Sequence, residues 1–286
     1  MSDSPIKAGE IRAFGKMPVP FVTPEMISLI KTGKVYSLHQ IIEPGIPFWS
    51  GHQPLVISPL LRHGDSRSEY PASVANDFLS LPMHGSTHID SLCHIGQYEG
   101  DKIKLYGGID AEKSQSNNGQ LTYGAENFPP ILLRGVLLDI AASKGVDVLP
   151  PSYGITGEDM AECEEKENVE VTPGTAVLIR TGYQKYWLTD NEKYSSSGPG
   201  PNMDGARYLV EKGAAVIGSD TEAMEKMPPK GLEVHRYLIY ENGVTHIEEL
   251  FLEKLAEEKV FEFMFICLPL RIKGATGSMI HPIAIS

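Results

Sequence analysis

Cysteine is scarce: Cys93, Cys163 and Cys267 are the only three in 286 residues, far apart and without a Cys-x-x-Cys pair. That excludes a disulfide framework and a zinc ribbon, and it fits a reducing compartment. Long apolar runs are missing too. The first twenty residues, MSDSPIKAGEIRAFGKMPVP, hold no apolar stretch of signal-peptide length, and no run approaches the roughly 18 residues of a membrane span. Basic residues are outnumbered, Lys+Arg 25 against Asp+Glu 37, for a formal charge of −12. Such a field repels polyanions, so neither nucleic acid nor an anionic membrane surface is an expected partner. The glycine-containing stretch at 195–201, SSSGPGP, lacks the Gly-Lys-Ser/Thr ending of a phosphate-cradling loop. No repeat or low-complexity segment is evident. These absences leave a cytoplasmic globular chain, with a small molecule as the expected partner.

A hydrophobic content of 41% in 286 residues suffices for one sizeable core. Residues 1–34 are mixed and proline-containing and read as an arm that docks on a neighbouring subunit, ahead of a single domain at 35–286. From Val35 onward come short apolar runs closed by turn residues, VYSLHQII, PGIPFW and PLVISPLL, which read as strands. Four later runs, at 131–140 (ILLRGVLLDI), 176–180 (AVLIR), 214–219 (AAVIGS) and 263–268 (FMFICL), are nearly all apolar, as in strands covered on both faces. Between them lie helices. Thr156 with Asp159 three residues on forms a capping-box start to an acidic helix, and residues 202–212 make an amphipathic helix stopped by Gly213. Helices alternating with buried strands predict an α/β domain with a mixed, barrel-like central β-sheet flanked by helices. The 195–201 stretch is then a loop within the domain.

The chemistry concentrates at 81–96, LPMHGSTHIDSLCHIG, where His84, His88, Asp90 and His94 occupy eleven residues of a chain with nine histidines. In an extended segment His88 and Asp90 share a face, because side chains alternate with period two. If a helical turn precedes it, His84 and His88 also share one. Two imidazoles and a carboxylate suit a catalytic zinc or manganese, with positions left open for water. A lone histidine is more often a surface or hydrogen-bonded core residue; four such groups beside Gly85, Ser86 and Thr87 favour a site. Cys93, adjacent to His94, points the opposite way on an extended segment and is no nucleophile for it.

HGSTHIDSLCH resembles the HxGTHxDxPxH signature of the metal-dependent cyclase family, which includes bacterial kynurenine formamidases, isatin hydrolases and related amide or lactone hydrolases. Ser86 stands at the usual Gly and Leu92 at the usual Pro. The resemblance continues weakly through PGIPFWSG, RGVLLDI, AVLIRTGY and CLPLRIKGATGS. It implies His84, His88 and Asp90 as ligands of a first Zn²⁺ or Mn²⁺, and His94 as the acid/base residue. For a second ion it implies His235 and Glu248, with His246 an alternative ligand; a solvated helix is the ordinary reading of such residues. It also implies a homodimer or homotetramer.

The activity expected is hydrolytic opening of a small cyclic amide or lactone, with arylformamide hydrolysis as the alternative. A metal-binding but non-catalytic protein on the same fold is the competing class, and retention of His94 argues against it. Phe48 and Trp49 follow a proline turn and are candidates for a substrate wall or for plain core. Ser219, Asp220 and Thr221 end a buried strand, where α/β active-site loops and helix caps both occur.

Overall fold

The four apolar runs occupy neighbouring places in one nine-stranded sheet of the computed structural model, which describes residues 14–67, 69 and 71–286. In chain order its strands are β1 (Val35–Ser37), β2 (His88–Asp90), β3 (Ile131–Asp139), β4 (Ala176–Arg180), β5 (Val216–Ser219), β6 (Thr245–Glu248), β7 (Glu262–Cys267), β8 (Gly277–Met279) and β9 (Ile283–Ile285). Their spatial order is β1-β9-β7-β3-β4-β5-β6-β2-β8. Strands β3 to β6 run parallel to one another, and the pairs outside that block are antiparallel.

Both faces of the parallel block are buried, which is why β3, β4 and β5 read as nearly continuous apolar runs rather than alternating ones. On one face Val136, Leu138, Val177, Ile179 and Ile217 meet two helices, α1 (Gly157–Glu167) and α2 (Met203–Glu211), through Met160, Cys163, Ala206 and Leu209. On the other face Leu133, Leu137, Leu178, Phe263 and Phe265 form a second core. Tyr36 and Ile89 join that core from strands near opposite ends of the sheet. The sheet therefore curls over its own side chains as an open half-barrel.

Both helices begin as the sequence indicates. The Thr156 hydroxyl accepts from the Asp159 amide at 3.1 Å while the Asp159 carboxylate accepts from the Thr156 amide at 2.9 Å. The Asn202 side chain accepts from the amides of Asp204 and Gly205. Gly213 follows α2 at φ +79°, the left-handed turn that ends it.

Three expectations are corrected or refined. The PGIPFW run is a loop and not a strand, because Gly45 sits at φ +94° between two prolines that break any ladder. PLVISPLL does form a strand, Val56–Leu61, but it pairs with Asn76–Ser80 in a separate hairpin whose Val56, Ile57, Phe78 and Leu79 are exposed. Of the proposed arm, residues 1–13 lie outside the described residues. Met17 is buried in this chain's own core and the Lys16 amide donates to the Gly243 carbonyl, whereas Val19, Phe21 and Ile27 are exposed. The 195–201 loop is tied in by parallel pairing of Gly200–Pro201 with Gly154–Ile155. Among the described residues, no helix is long and apolar enough to cross a membrane.

Gly135 in β3 shows how tight the inner core is. A Cβ there falls inside the ring of Phe263, which is fully buried and cannot move aside. Gly135→Ala is predicted to lower stability by about 1–3 kcal/mol, the usual range for overpacking, measured as a shifted urea midpoint at unchanged m-value; an unshifted midpoint contradicts this packing.

Candidate metal centre

The site lies on the helix-covered side of the sheet, on β2 and β6. Alternation along β2 sends Ile89 into the inner core and leaves His88 and Asp90 on the opposite face. The same alternation along β6 buries Ile247 in that core and turns His246 and Glu248 outward beside them. Register fixes the match: Glu248 pairs with His88, Met279 of β8 with His88, and Gly277 with Asp90. His84 comes from the turn before β2, closed by the Gly85 amide to the Pro82 carbonyl at 3.1 Å. His235 ends the short helix Glu233–His235.

Asp90 is the meeting point. Its Oδ1 lies 2.7 Å from His84 Nδ1 and 3.4 Å from His88 Nε2. Its Oδ2 lies 3.0 Å from His246 Nε2 and 3.6 Å from His94 Nε2. Glu248 stands beside it, with Oε2 3.3 Å from His88 Nε2 and Oε1 3.1 Å from His235 Nε2 and 3.4 Å from His246 Nε2. Two groups of three can each present one atom to a common ion: His84, His88 and Asp90, and Asp90, His235 and His246. Asp90 belongs to both.

The donor atoms fit a cation better than they fit one another. His88 Nε2, Asp90 Oδ2 and His246 Nε2 are buried and find no hydrogen-bond partner among the described residues, a costly state for polar groups unless something else satisfies them. The histidines are also oriented from behind. His88 donates through Nδ1 to the Ser86 carbonyl at 2.8 Å, which leaves Nε2 facing the carboxylates. His235 Nδ1 lies 2.7 Å from Glu225 Oε1, the carboxylate–histidine arrangement common at metal sites. Ser86, which stands where the signature has glycine, adopts φ +58°, a conformation that favours glycine.

The electrostatics agree. Burial pushes the Asp90 carboxyl up, but the rings of His94, His84 and His246 outweigh it and hold it well below the usual range. Glu248 behaves alike: burial is overcome by the neighbouring imidazoles of His235, His246 and His88, which hold it well below the usual range. His94, mostly buried with 29% of its side chain exposed at the cavity, is driven down to about 3 by burial despite the attraction of Asp90.

A cavity of about 220 Å³ opens onto this cluster, lined by Trp49, His52, His84, His94, His235 and Glu248 among others. The structure thus brings together His84, His88, Asp90, His94, His235 and Glu248, and His246 joins the cluster alongside His235 instead of replacing it. Trp49 lines the cavity; Phe48 lies in the cavity next door. Leu92, in place of the signature proline, is buried and leaves His94 at the cavity. Asp220 neither caps a helix nor reaches the cavity: it accepts from the amides of Thr181 and Gly182 and the Thr181 hydroxyl, tying together the loops after β4 and β5. The Cys93 thiol, pushed up to about 11 by burial, is held off as a nucleophile.

Several contributors were invisible in the sequence. The Thr276 hydroxyl lies 2.8 Å from His84 Nε2. A Cβ at Gly277 falls 2.9 Å from the His84 ring, so only glycine admits that ring. Glu225 and the Met224 amide, which donates to Glu248 at 2.6 Å, come from the segment after β5. Only the glycine has a hint in the sequence, as part of the GATGS turn.

The family model described as "Cyclase: Putative cyclase" matches residues 36–226. A kynurenine formamidase of Bacillus cereus is 31% identical over 254 residues, 89% of this chain and 98% of the relative. The crystal structure of a novel cyclase superposes with a TM-score of 0.85 at 30% identity, covering 96% of this chain and 94% of that one. Isatin hydrolase A from Ralstonia solanacearum shares the fold, with a TM-score of 0.67 at 19% identity over 93% of this chain and 97% of the other. With the family model spanning residues 36–226 and a relative aligned along nearly its whole length, the chain belongs to the cyclase family.

Proposed function

We propose that this protein is a metal-dependent hydrolase that opens a small cyclic amide or lactone by addition of water to its carbonyl carbon. The observation that supports this reading is the buried Asp90 carboxylate offered to two donor triads beside a cavity. His84, His88 and Asp90 would hold one divalent ion, zinc or manganese, and Asp90, His235 and His246 a second, with Glu248 between them. When bound, such an ion supplies Lewis acidity and a water that ionises near neutral pH.

The chain's own residues do the rest. Asp90 and Glu248 keep negative charge at the floor of the cavity, where it balances a cation. His94 stands at the mouth, its Nε2 3.6 Å from Asp90 Oδ2 and its ring centroid 4.0 Å from that of His84. From there its ring, kept neutral by burial, is placed to take a proton from the attacking water and return it to the leaving nitrogen or oxygen as the bond to the carbonyl carbon breaks, a transfer that reaches roughly 10²–10⁴-fold when the group's proton affinity matches the working pH. A protein that only bound metal would have no use for His94 there. Arylformamide hydrolysis is the second reading, favoured by the formamidase relative at 31% identity.

Assembly as a homodimer or homotetramer belongs to the same proposal. The hairpin of Val56–Leu61 and Asn76–Ser80 exposes apolar side chains, and a bare two-stranded ribbon is marginal in water. A second copy covering it accounts for both.

Elution above the 31.4 kDa monomer mass is predicted at micromolar concentration, checked by size-exclusion chromatography with light scattering; a monomer contradicts it. Asp90→Ala removes the residue common to both triads, so elemental analysis should find the purified variant without either ion, and full occupancy would refute the arrangement. His94→Ala is predicted to retain metal while kcat falls about 10²-fold or more with a smaller change in KM, because a proton moved in the transition state adds little to ground-state binding. Lost metal, or near-normal turnover, in that variant overturns the role given to His94.

A further inference from the structure

The cavity over the metal centre does not end at Trp49. Trp49, Met227 and Pro229 line both it and a second cavity of about 560 Å³, whose walls continue through Phe48 and Pro228. The inner space, about 220 Å³, falls below the roughly 300–1,000 Å³ of ordinary small-molecule sites. The outer space supplies the missing room. Trp49 is 44% exposed at their junction, a large aromatic surface left open where a ligand passing from one to the other would cover it.

Charge narrows what that ligand can be. Among the described residues lining the two cavities, none is Lys or Arg. The only charged side chain lining the outer one is Glu192. A carboxylate placed there would meet no side-chain cation and a like charge, against a background of −12 for the whole chain. An apolar group would meet Phe48, Trp49, Met227 and the two prolines.

We propose that the outer cavity is a substrate subsite, and that the substrate is bipartite: a hydrolysable amide at the metal centre joined to an apolar extension without negative charge, seated between Phe48, Trp49 and Pro228. This rests on the hydrolase reading above, and it adds the class of molecule that reading leaves open. The outer cavity is the specificity pocket, and chain length is what it measures.

The test is a series of formanilides carrying a 4-n-alkyl chain from hydrogen to butyl, with carboxylate-tipped and ammonium-tipped chains of equal length as comparators, assayed on the metal-loaded enzyme. Each added methylene is expected to raise kcat/KM about fourfold until the cavity is filled, as burial of a methylene predicts; the carboxylate tip, facing Glu192, is expected to cancel the gain, and the ammonium tip to keep part of it. Ser196→Trp, which puts bulk into the outer cavity, is expected to flatten the dependence on chain length. A flat series in the unaltered enzyme, or a carboxylate tip preferred over its alkyl or ammonium counterpart, overturns the subsite. If no formanilide is hydrolysed, arylformamidase activity falls, and 5-alkyl isatins then test ring opening in the same way; failure of both classes defeats the amide-hydrolase reading. The unreacted compounds then serve as stable ligands for calorimetry. Affinity that tightens with chain length and loses that dependence in Ser196→Trp supports the subsite on its own, and affinity independent of chain length refutes it.

Discussion

A carboxylate that is 99% removed from solvent cannot remain ionised unaided, since moving such a charge out of water costs several kcal/mol even after relaxation. Asp90, 1% exposed, is in that position. Its compensation comes from imidazoles on all sides, His84, His88, His94 and His246, each within 3.6 Å. This one charge orders the neighbourhood. Strand β2 is three residues long, yet it is held on both edges, by β6 and by β8, so the carboxylate sits on paired backbone and not on a loop. The parts that approach it are shaped to do so: Gly277 leaves room for the His84 ring, and Ser86 turns its carbonyl to His88.

Local features of the sequence survived best. The spacing of His84, His88, Asp90 and His94 was legible because period-two alternation and a tight turn are properties of adjacent residues. The helix starts at Thr156 and Asn202 were legible for the same reason, each cap being closed within three residues. The strands β3 to β5 were legible because burial on both faces confines their polar residues to Arg134 and to the strand ends at Asp139, Arg180 and Ser219; that they run parallel was not. What was hidden is what register decides. Nothing near Thr276 or Gly277 says that β8 lies against β2, and nothing near Glu225 says that it backs His235. The choice between His235 and His246 could not be made from sequence because the fold uses both, one from a helix end and one from a strand. The loop of Pro44 to Trp49 misled in the other direction, its apolar content serving a cavity wall where a strand was expected.

Departures from the family signature separate into two kinds. Ser86 replaces glycine but keeps the left-handed backbone at a modest cost of order 1 kcal/mol, so geometry is retained. Leu92 replaces proline and is absorbed into a small core with Ile95, Leu105 and Ile239, exchanging a stiffened backbone for side-chain packing. In both cases the neighbouring ligand candidates, His84, His88, Asp90 and His94, still converge on one centre.

The lack of Lys and Arg around the two cavities bears on traffic as well as on recognition. A neutral reactant feels no long-range pull from a negatively charged protein, so its capture would proceed at the unsteered encounter rate and respond little to ionic strength. Hydrolysis of an amide turns that neutral molecule into one bearing a carboxylate. Once clear of the metal centre, such a product would cross an outer cavity with no side-chain cation among its described lining residues, inside a field of its own sign. The charge created by the reaction would then favour departure over return, giving the exit a direction that no moving part has to supply.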